Sequence, residues 1–193
     1  MCERDSWPAP ILETDRLWIF PLSPGLFRLL LEDRSALERR MGLSPSPPLW
    51  DRQTDEALES LCRRAERLSR RRLERGDWRW CAAWLLADKA ARQCLGNACF
   101  MGPPGLSGWV ELGYCMTPVR RGQGYMTEAA HALTHWAMEQ PGVRTVRAQT
   151  DRDNPASCRV LEKCGFQLIR VLPSATETGA GLLWEYGGRP PVI

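Results

Sequence analysis

Pro118-Val119-Arg120-Arg121-Gly122-Gln123-Gly124-Tyr125-Met126-Thr127-Glu128-Ala129-Ala130 follows an apolar, aromatic-rich run from Trp109 to Met116 and opens a segment with helical periodicity. Strand, arginine- and glycine-rich loop, then helix is the layout of a phosphate cradle. Two close glycines let the backbone bend so that successive N–H groups point one way, and the positive end of the following helix stands behind the anion. Two familiar glycine loops are excluded by the residues that follow. The P-loop pattern ends in Gly-Lys-Ser/Thr, whereas Gly124 precedes Tyr125 and Met126; the dinucleotide fingerprint needs a third glycine where Thr127 stands. The plainer alternative is a tight strand-to-helix turn with solvated arginines.

The rest of the chain bounds what such a loop can serve. With 193 residues, 44% hydrophobic and 25% charged, the sequence suits one globular domain with a substantial core spanning 1–193. The longest apolar run, Trp80 to Ala87, is far too short to span a bilayer. The Met1-Cys2-Glu3-Arg4-Asp5 start lacks the basic-then-apolar layout of a signal peptide. The expectation is a cytoplasmic protein without a membrane partner. Eight cysteines contain no Cys-x-x-Cys pair and no nearby His, so reduced structural thiols are expected rather than disulfides or zinc. His131 and His135 stand four apart on one helix, but no third ligand is evident, and no metal is expected. A net charge of +3 is too small to imply a polyanion partner for the whole protein. The segment Cys62 to Arg75 nevertheless carries seven arginines against two glutamates. That helix reads as a solvated face with pairs such as Glu59–Arg63, or as a surface for an acidic partner, an RNA or a phosphate. No aromatic-rich RNA-reading motif accompanies it, which argues against a nucleic-acid partner.

Periodicity supplies the element order. Leu17 to Phe20 reads as a short strand, and Pro24 to Arg40 as one helix or two. The prolines between Ser44 and Pro48 force a loop. A long amphipathic helix starts at Asp51 or Thr54 and reaches about Arg75, with Leu58, Leu61, Ala65 and Leu68 on one face and Gly76 ending it. Strands at Trp80–Leu86, Cys94–Phe100 and Trp109–Met116 form an antiparallel meander. A helix from Gly124 to Glu139, a strand at Thr145–Gln149 and a helix at Pro155–Lys163 follow. Strands at Gln167–Leu172 and Leu182–Tyr186 close the set. This order indicates an α/β fold, a mixed sheet with helices on both faces.

Three blocks together resemble the GCN5-related N-acetyltransferase (GNAT) superfamily. The Arg-x-Gly-x-Gly loop is similar to the one that holds the pyrophosphate of acetyl-CoA there. Asn154-Pro155-Ala156-Ser157-Cys158-Arg159-Val160-Leu161-Glu162-Lys163-Cys164-Gly165-Phe166 resembles the Asn-x-x-Ser…Glu-Lys-x-Gly-Phe segment of the RimJ/RimL-like branch. Glu111-Leu112-Gly113-Tyr114 resembles the strand before the loop, and Thr14-Asp15-Arg16-Leu17 the start of that branch. The resemblance implies a mostly antiparallel sheet of six to seven strands whose fourth and fifth members splay apart to admit the pantetheine arm. That arm would pair with exposed backbone from Cys115 through Met116 to Thr117. The pyrophosphate would meet the N–H groups of Arg121, Gly122, Gln123, Gly124, Tyr125 and Met126 and the charges of Arg120 and Arg121. The implied co-substrate is acetyl-CoA, and homodimers are common in the resembling family.

Acetyl transfer from a thioester to an amine needs a neutral amine, a stabilised oxyanion and a proton for the departing thiolate. An α-amine with pKa near ~8 needs weak base assistance, a lysine amine near ~10.4 more. Glu111, a lone carboxylate in an apolar strand, is the candidate base through a water; an edge-strand charge or structural acceptor is the other role such a residue plays. Many superfamily members carry a proton-donating tyrosine where this chain has Leu161, so Ser157 is the candidate donor, or else a polar residue of a helix's first turn. Asn154 is implied to hydrogen-bond pantetheine and is equally suited to cap the helix that Pro155 starts. Cys115 or Cys158 as an acyl-carrying nucleophile lacks a neighbouring His in sequence, which favours direct transfer in a ternary complex. The resemblance implies that the arginine-rich helix borders the acceptor site, where it would repel a polyamine or aminoglycoside and so favours a protein N-terminal amine or another uncharged or anionic amine as acceptor. Small-molecule or antibiotic acetylation, and a non-catalytic acyl-CoA sensor lacking turnover, are the competing readings.

Overall fold

In a computed structural model, residues 11–47, 52–70, 77–173 and 181–187 are described. Eight strands form one sheet in the order β1-β2-β3-β4-β5-β6-β8-β7. The strands are β1 (Leu12–Glu13), β2 (Leu17–Pro21), β3 (Ala83–Asp88), β4 (Gln93–Phe100), β5 (Trp109–Met116), β6 (Thr145–Asp151), β7 (Gln167–Leu172) and β8 (Gly181–Tyr186). The helices are α1 (Pro24–Glu32), α2 (Arg34–Arg40), α3 (Arg52–Arg70), α4 (Tyr125–Met138) and α5 (Pro155–Lys163). The two-residue β1 brings the count above the expected six to seven. It is too short for periodicity to reveal and exists because it pairs with Trp18 and Ile19 of β2. The expected fourth and fifth strands are therefore β5 and β6.

Antiparallel pairing runs from β1 to β5 and again through β6, β8 and β7; β5 and β6 alone among these neighbours are parallel. That parallel pairing covers Trp109↔Thr145, Val110↔Val146 and Glu111↔Arg147 and no further. From Leu112 to Met116 β5 has passed the end of its pairing with β6 and keeps its pairing with β4, so the backbone groups turned away from β4 face the gap between β5 and β6. This is the splay expected from the resemblance.

Two cores lie on opposite faces of the sheet. On one face Leu17, Ile19, Trp84, Leu95, Ala98, Phe100, Leu112 and Val146 pack against Ala129, Leu133, Trp136 and Ala137 of α4 and Leu161 of α5. Trp84, Phe100, Trp136 and Trp80 form an aromatic knot, with Trp84 and Trp136 centroids 4.6 Å apart. On the other face Phe20, Leu85, Cys94 and Cys99 pack against Phe27 and Leu30 of α1 and Leu58, Leu61, Cys62 and Ala65 of α3.

Several element boundaries differ from the sequence reading for physical reasons. Pro24 to Arg40 resolves into two helices, because Asp33 ends α1 and its carboxylate accepts from the Ala36 N–H at 2.9 Å to start α2. Trp80 and Cys81 belong to a 3-10 turn, Asp77–Cys81, rather than to the expected strand. The Trp84 indole donates to the Arg79 carbonyl at 3.1 Å, and Trp80 turns into the aromatic knot. α3 carries the expected Glu59–Arg63 pair, at 3.2 Å. The arginines from 71 to 75 and the stop at Gly76 lie outside the described residues.

Candidate active site

The strand–loop–helix stretch forms a concave wall. After β5, Pro118–Arg120 makes one 3-10 turn, Arg121 is extended, and Gly122 and Gly124 take φ of 75° and 81°. Both values lie in the left-handed region where a side chain is strained. Gly124 is also the residue preceding the first turn of α4, where no side chain caps the helix. The N-terminal N–H groups of a 14-residue helix are thus left facing the loop, an arrangement suited to an anion.

Behind this wall lies a cleft of about 450 Å³ lined by Tyr114, Cys115 and Met116 of β5, by Arg120, Arg121, Gly122 and Gly124 of the loop, by the first turn of α4 from Tyr125 to Thr127, and by Asn154, Ala156, Ser157, Arg159, Val160 and Lys163 around α5. A second, more open hollow of about 460 Å³ shares Gly124, Thr127 and Lys163 with it and continues past Glu128 and His131. Of the residues expected to hold the donor, Met116, Arg120, Arg121, Gly122, Gly124, Tyr125, Met126 and Asn154 line the cleft. Thr117 and Gln123 stand outside the lining. Thr117 is buried at the end of β5, its N–H spent on the Leu95 carbonyl at 2.8 Å. Gln123 turns its side chain to the Val119 carbonyl and its own carbonyl to Arg16.

Asn154 starts α5 by accepting from the Ser157 N–H at 3.1 Å through Oδ1, with Pro155 next in line. Its amide N–H₂ is a separate group at the cleft wall, so capping and ligand contact use different atoms. Ser157 lines the cleft in the first turn of α5, and its carbonyl accepts a 3.1 Å hydrogen bond from the Tyr114 hydroxyl. Burial pushes the Tyr114 phenol well above its ordinary range, against the opposing hydrogen bond to Ser157. Leu161 is fully buried in the core and takes no part in the cleft.

Glu111 lies elsewhere. It faces the opposite side of β5 from Tyr114, is half-buried, and its side chain pairs with Gln149 of β6. Burial raises its carboxyl above the ordinary range, and the Gln149 hydrogen bond only partly offsets this. Four residues of extended chain, about 13 Å, separate it from Cys115. Its surroundings include Arg147, which binds Glu185 at 2.6 Å and lies 5.3 Å over the Trp109 ring. Arg64 of α3 lies against Gly102 beyond β4. Ser157 and Glu111 are therefore not neighbours; one borders the cleft and the other the far end of the strand it runs along.

Buried thiols are spread through both cores. Burial pushes Cys94 and Cys99 up to about 12, which leaves them poor nucleophiles. His131 and His135 stack at 4.2 Å, and among the described residues no group of three metal-ligating side chains forms. Among the described residues no helix is long and apolar enough to cross a membrane.

The sequence profile described as Acetyltransferase (GNAT) domain matches residues 16–167. This protein belongs to the GNAT acetyltransferase family. That family uses acetyl-CoA, and the resemblance read from the loop and the Asn154 block holds. A curated relative, the uncharacterized N-acetyltransferase YjdG of Bacillus subtilis (strain 168), is 34% identical over 86 residues. These are 45% of this chain and 51% of YjdG, so the match spans about half the length of that relative. Among solved structures, the fold is similar to RimL, a ribosomal L7/L12 alpha-N-protein acetyltransferase in complex with coenzyme A. The TM-score is 0.61 at 16% identity, covering 91% of this chain and 96% of that one. It is also similar to a chimera of spermidine N-acetyltransferase SpeG from Vibrio cholerae and hSSAT, with a TM-score of 0.60 at 13% identity over 88% and 93%.

What the sequence reading missed in this GNAT site is its supporting frame. Tyr125, expected to offer its backbone N–H, donates its phenol to Asp88 at 2.9 Å, and Arg16 lies 4.3 Å over its ring. Only the Thr14-Asp15-Arg16-Leu17 resemblance pointed at this part of the chain.

Proposed function

We propose that this protein transfers the acetyl group of acetyl-CoA to a primary amine, a protein N-terminal amine being favoured, by direct attack in a ternary complex. The observation that carries the proposal is the continuity of the cleft: an anion-suited loop at one end leads to the stretch of β5 beyond its pairing with β6, and the half-buried Glu111 stands further along the same strand. The residues fit the donor. Gly122, Gly124 and the first turn of α4 would hold the diphosphate with Arg120 and Arg121. The β5 backbone at Tyr114 and Met116, turned away from β4, and the Asn154 amide would hold the pantetheine arm, and the hollow beside His131 and Lys163 would receive the nucleotide.

Chemistry then runs along β5. The amine attacks the thioester carbonyl, a C–N bond forms as the C–S bond breaks, and backbone N–H groups of β5 stabilise the oxyanion. Glu111 takes the proton lost by the amine through a water, and its raised pKa brings it nearer to the operating pH of a general base. The Ser157 hydroxyl, held at the cleft wall by the Asn154 cap and the Tyr114 hydrogen bond to its backbone, relays a proton from solvent to the CoA thiolate, giving up its own proton as it takes one from water. The arginines of α3, among them Arg64 where it lies against Gly102, support an acceptor carrying little positive charge over a polyamine.

The test is thiol release from acetyl-CoA across Ala- and Ser-starting peptides, a lysine peptide, spermidine and an aminoglycoside. Peptide-dependent release that falls about 100-fold in both Glu111→Gln and Ser157→Ala is the expected result. Release stimulated only by spermidine or the aminoglycoside would replace the N-terminal acceptor with a small amine. Acetyl-CoA binding without stimulation by any amine would favour the sensor reading instead.

A further inference from the structure

We infer that Arg16, at the start of β2 and outside the cleft, is a positioning residue that sets the diphosphate-binding face of the loop through the Gln123–Gly124 peptide. The inference rests on the acetyl-CoA reading of the cleft. Arg16 is tied down before it reaches the loop. Its Nε and NH2 groups both meet Glu128 Oε2 at 2.7 Å, and its backbone N–H donates to Glu128 Oε1 at 2.9 Å. The Thr14 hydroxyl donates to the same Oε1. Glu128 lies in the first turn of α4, so the ion pair fastens the β1–β2 hairpin to the helix that backs the loop. Lys89 fastens the hairpin from its other side, through the Thr14 carbonyl at 2.6 Å and Glu13 at 3.1 Å.

The remaining donor of the guanidinium, NH1, reaches the Gln123 carbonyl at 3.0 Å. There are no cis peptide bonds among the described residues, and in a trans peptide the C=O and the next N–H point in opposite directions. Drawing the Gln123 carbonyl toward Arg16 therefore aims the Gly124 N–H the other way. Gly124 lines the cleft and Gln123 does not, in keeping with that orientation. The peptide needs such a tether because Gly122 and Gly124 on either side are both left-handed glycines with many other conformations open to them. Arg16 also covers the Tyr125 ring at 4.3 Å, and Tyr125 is anchored to Asp88. The loop is thus held from behind while its front is free for a ligand. A planar guanidinium meets a carboxylate, a carbonyl and a ring face together; an ammonium is a point charge and satisfies fewer of these.

The inference predicts a defect confined to donors that carry a diphosphate. Dissociation constants of acetyl-CoA, its 3′-dephospho form and S-acetylpantetheine would be measured for the wild type and for Arg16→Ala, Arg16→Lys and Glu128→Gln, by calorimetry and competition NMR. Arg28→Ala, which breaks the 2.7 Å Arg28–Glu66 ion pair between α1 and α3, serves as the control. Arg16→Ala should weaken both diphosphate-bearing donors about tenfold while S-acetylpantetheine moves less than about twofold. Arg16→Lys and Glu128→Gln should show the same donor pattern at smaller amplitude, which keeps the test open if the alanine variant does not fold. Equal weakening of all three ligands, no weakening, or a loss confined to the 3′-phosphorylated donor overturns the positioning role. If wild-type protein binds acetyl-CoA no more tightly than S-acetylpantetheine, the diphosphate reading of the loop falls first and takes this inference with it.

Discussion

Glu111 illustrates how one residue's chemistry is set by its neighbours. Its strand is apolar, so the carboxylate loses water without gaining a cation, and its pKa rises; the Gln149 amide offsets this in part. A base with a raised pKa loses its proton later as pH increases. The acidic limb of the kcat profile should therefore fall above the ordinary glutamate value of about 4.3. That limb should be absent in Glu111→Gln, and pH–rate measurements on both proteins decide it. A limb at or below the ordinary value would separate Glu111 from the proton transfer. Gly96 sets a different limit. A Cβ there would stand 2.2 Å from the Cys115 carbonyl oxygen, a backbone atom that cannot swing aside. Gly96→Ala should push β5 away from β4 where the cleft opens, weakening acetyl-CoA binding together with thermal stability. Unchanged values of both would show that the strand pair absorbs the shift.

Helix α5 separates two uses of one side chain. The Asn154 Oδ1 cap is worth about 1 kcal/mol, whereas the amide N–H₂ takes no part in the cap and is the group proposed to meet pantetheine. Asn154→Asp keeps an oxygen for the Ser157 N–H and removes the amide donor. It should leave Tm unchanged and weaken acetyl-CoA binding. Asn154→Ala should lose both the cap, lowering stability by about 1 kcal/mol, and the binding. Thermal melts paired with calorimetry distinguish the two, and equal binding by all three proteins would confine Asn154 to capping. Elements with strong local signals, α4 and α5 with their glycine and proline starts and β5 with its flanking turns, fall where the sequence reading put them. The 3-10 turn at Asp77–Cys81 does not. Trp80 and Cys81 look like strand residues by composition, but Trp80 is claimed by Phe100 and Trp136, which lie far off in sequence.

At the scale of the whole molecule, among the described residues the carboxylates of Glu128 and Asp88 join the β1–β2 hairpin and the β3–β4 turn to α4, and both titrate below their usual range. Burial works against ionisation of Glu128, and the hydrogen bonds from Thr14 and Arg16 together with the Arg16 charge outweigh it. Burial likewise opposes ionisation of Asp88, and the Ala91, Tyr125 and Ala90 donors and the Arg120 charge prevail. Depressed folded-state pKa values mean that this stabilisation is complete above the unfolded value, about 4, and is lost as pH falls through the lower folded value. Tm should thus be insensitive to Glu128→Gln and Asp88→Asn at low pH but not at neutral pH. A melting series between about pH 2 and pH 7 measures it, and parallel curves for wild type and variants would remove these groups from the acid response.

The sequence by itself determined the family, the α/β class, the order of most elements and the loop that suits a diphosphate. Each of these is carried by local properties: glycines at left-handed turns, prolines at helix starts, and the spacing of apolar residues. The tertiary structure alone decided where β5 and β6 part, since the splay is the point at which a pairing stops and no residue within either strand announces it. It also decided that Glu111 and Ser157 stand apart, and that Arg16, more than a hundred positions before the loop's second glycine, is the residue that holds it. Contacts between such distant segments depend on how the sheet brings them together, and a periodicity read along one segment carries no record of the other.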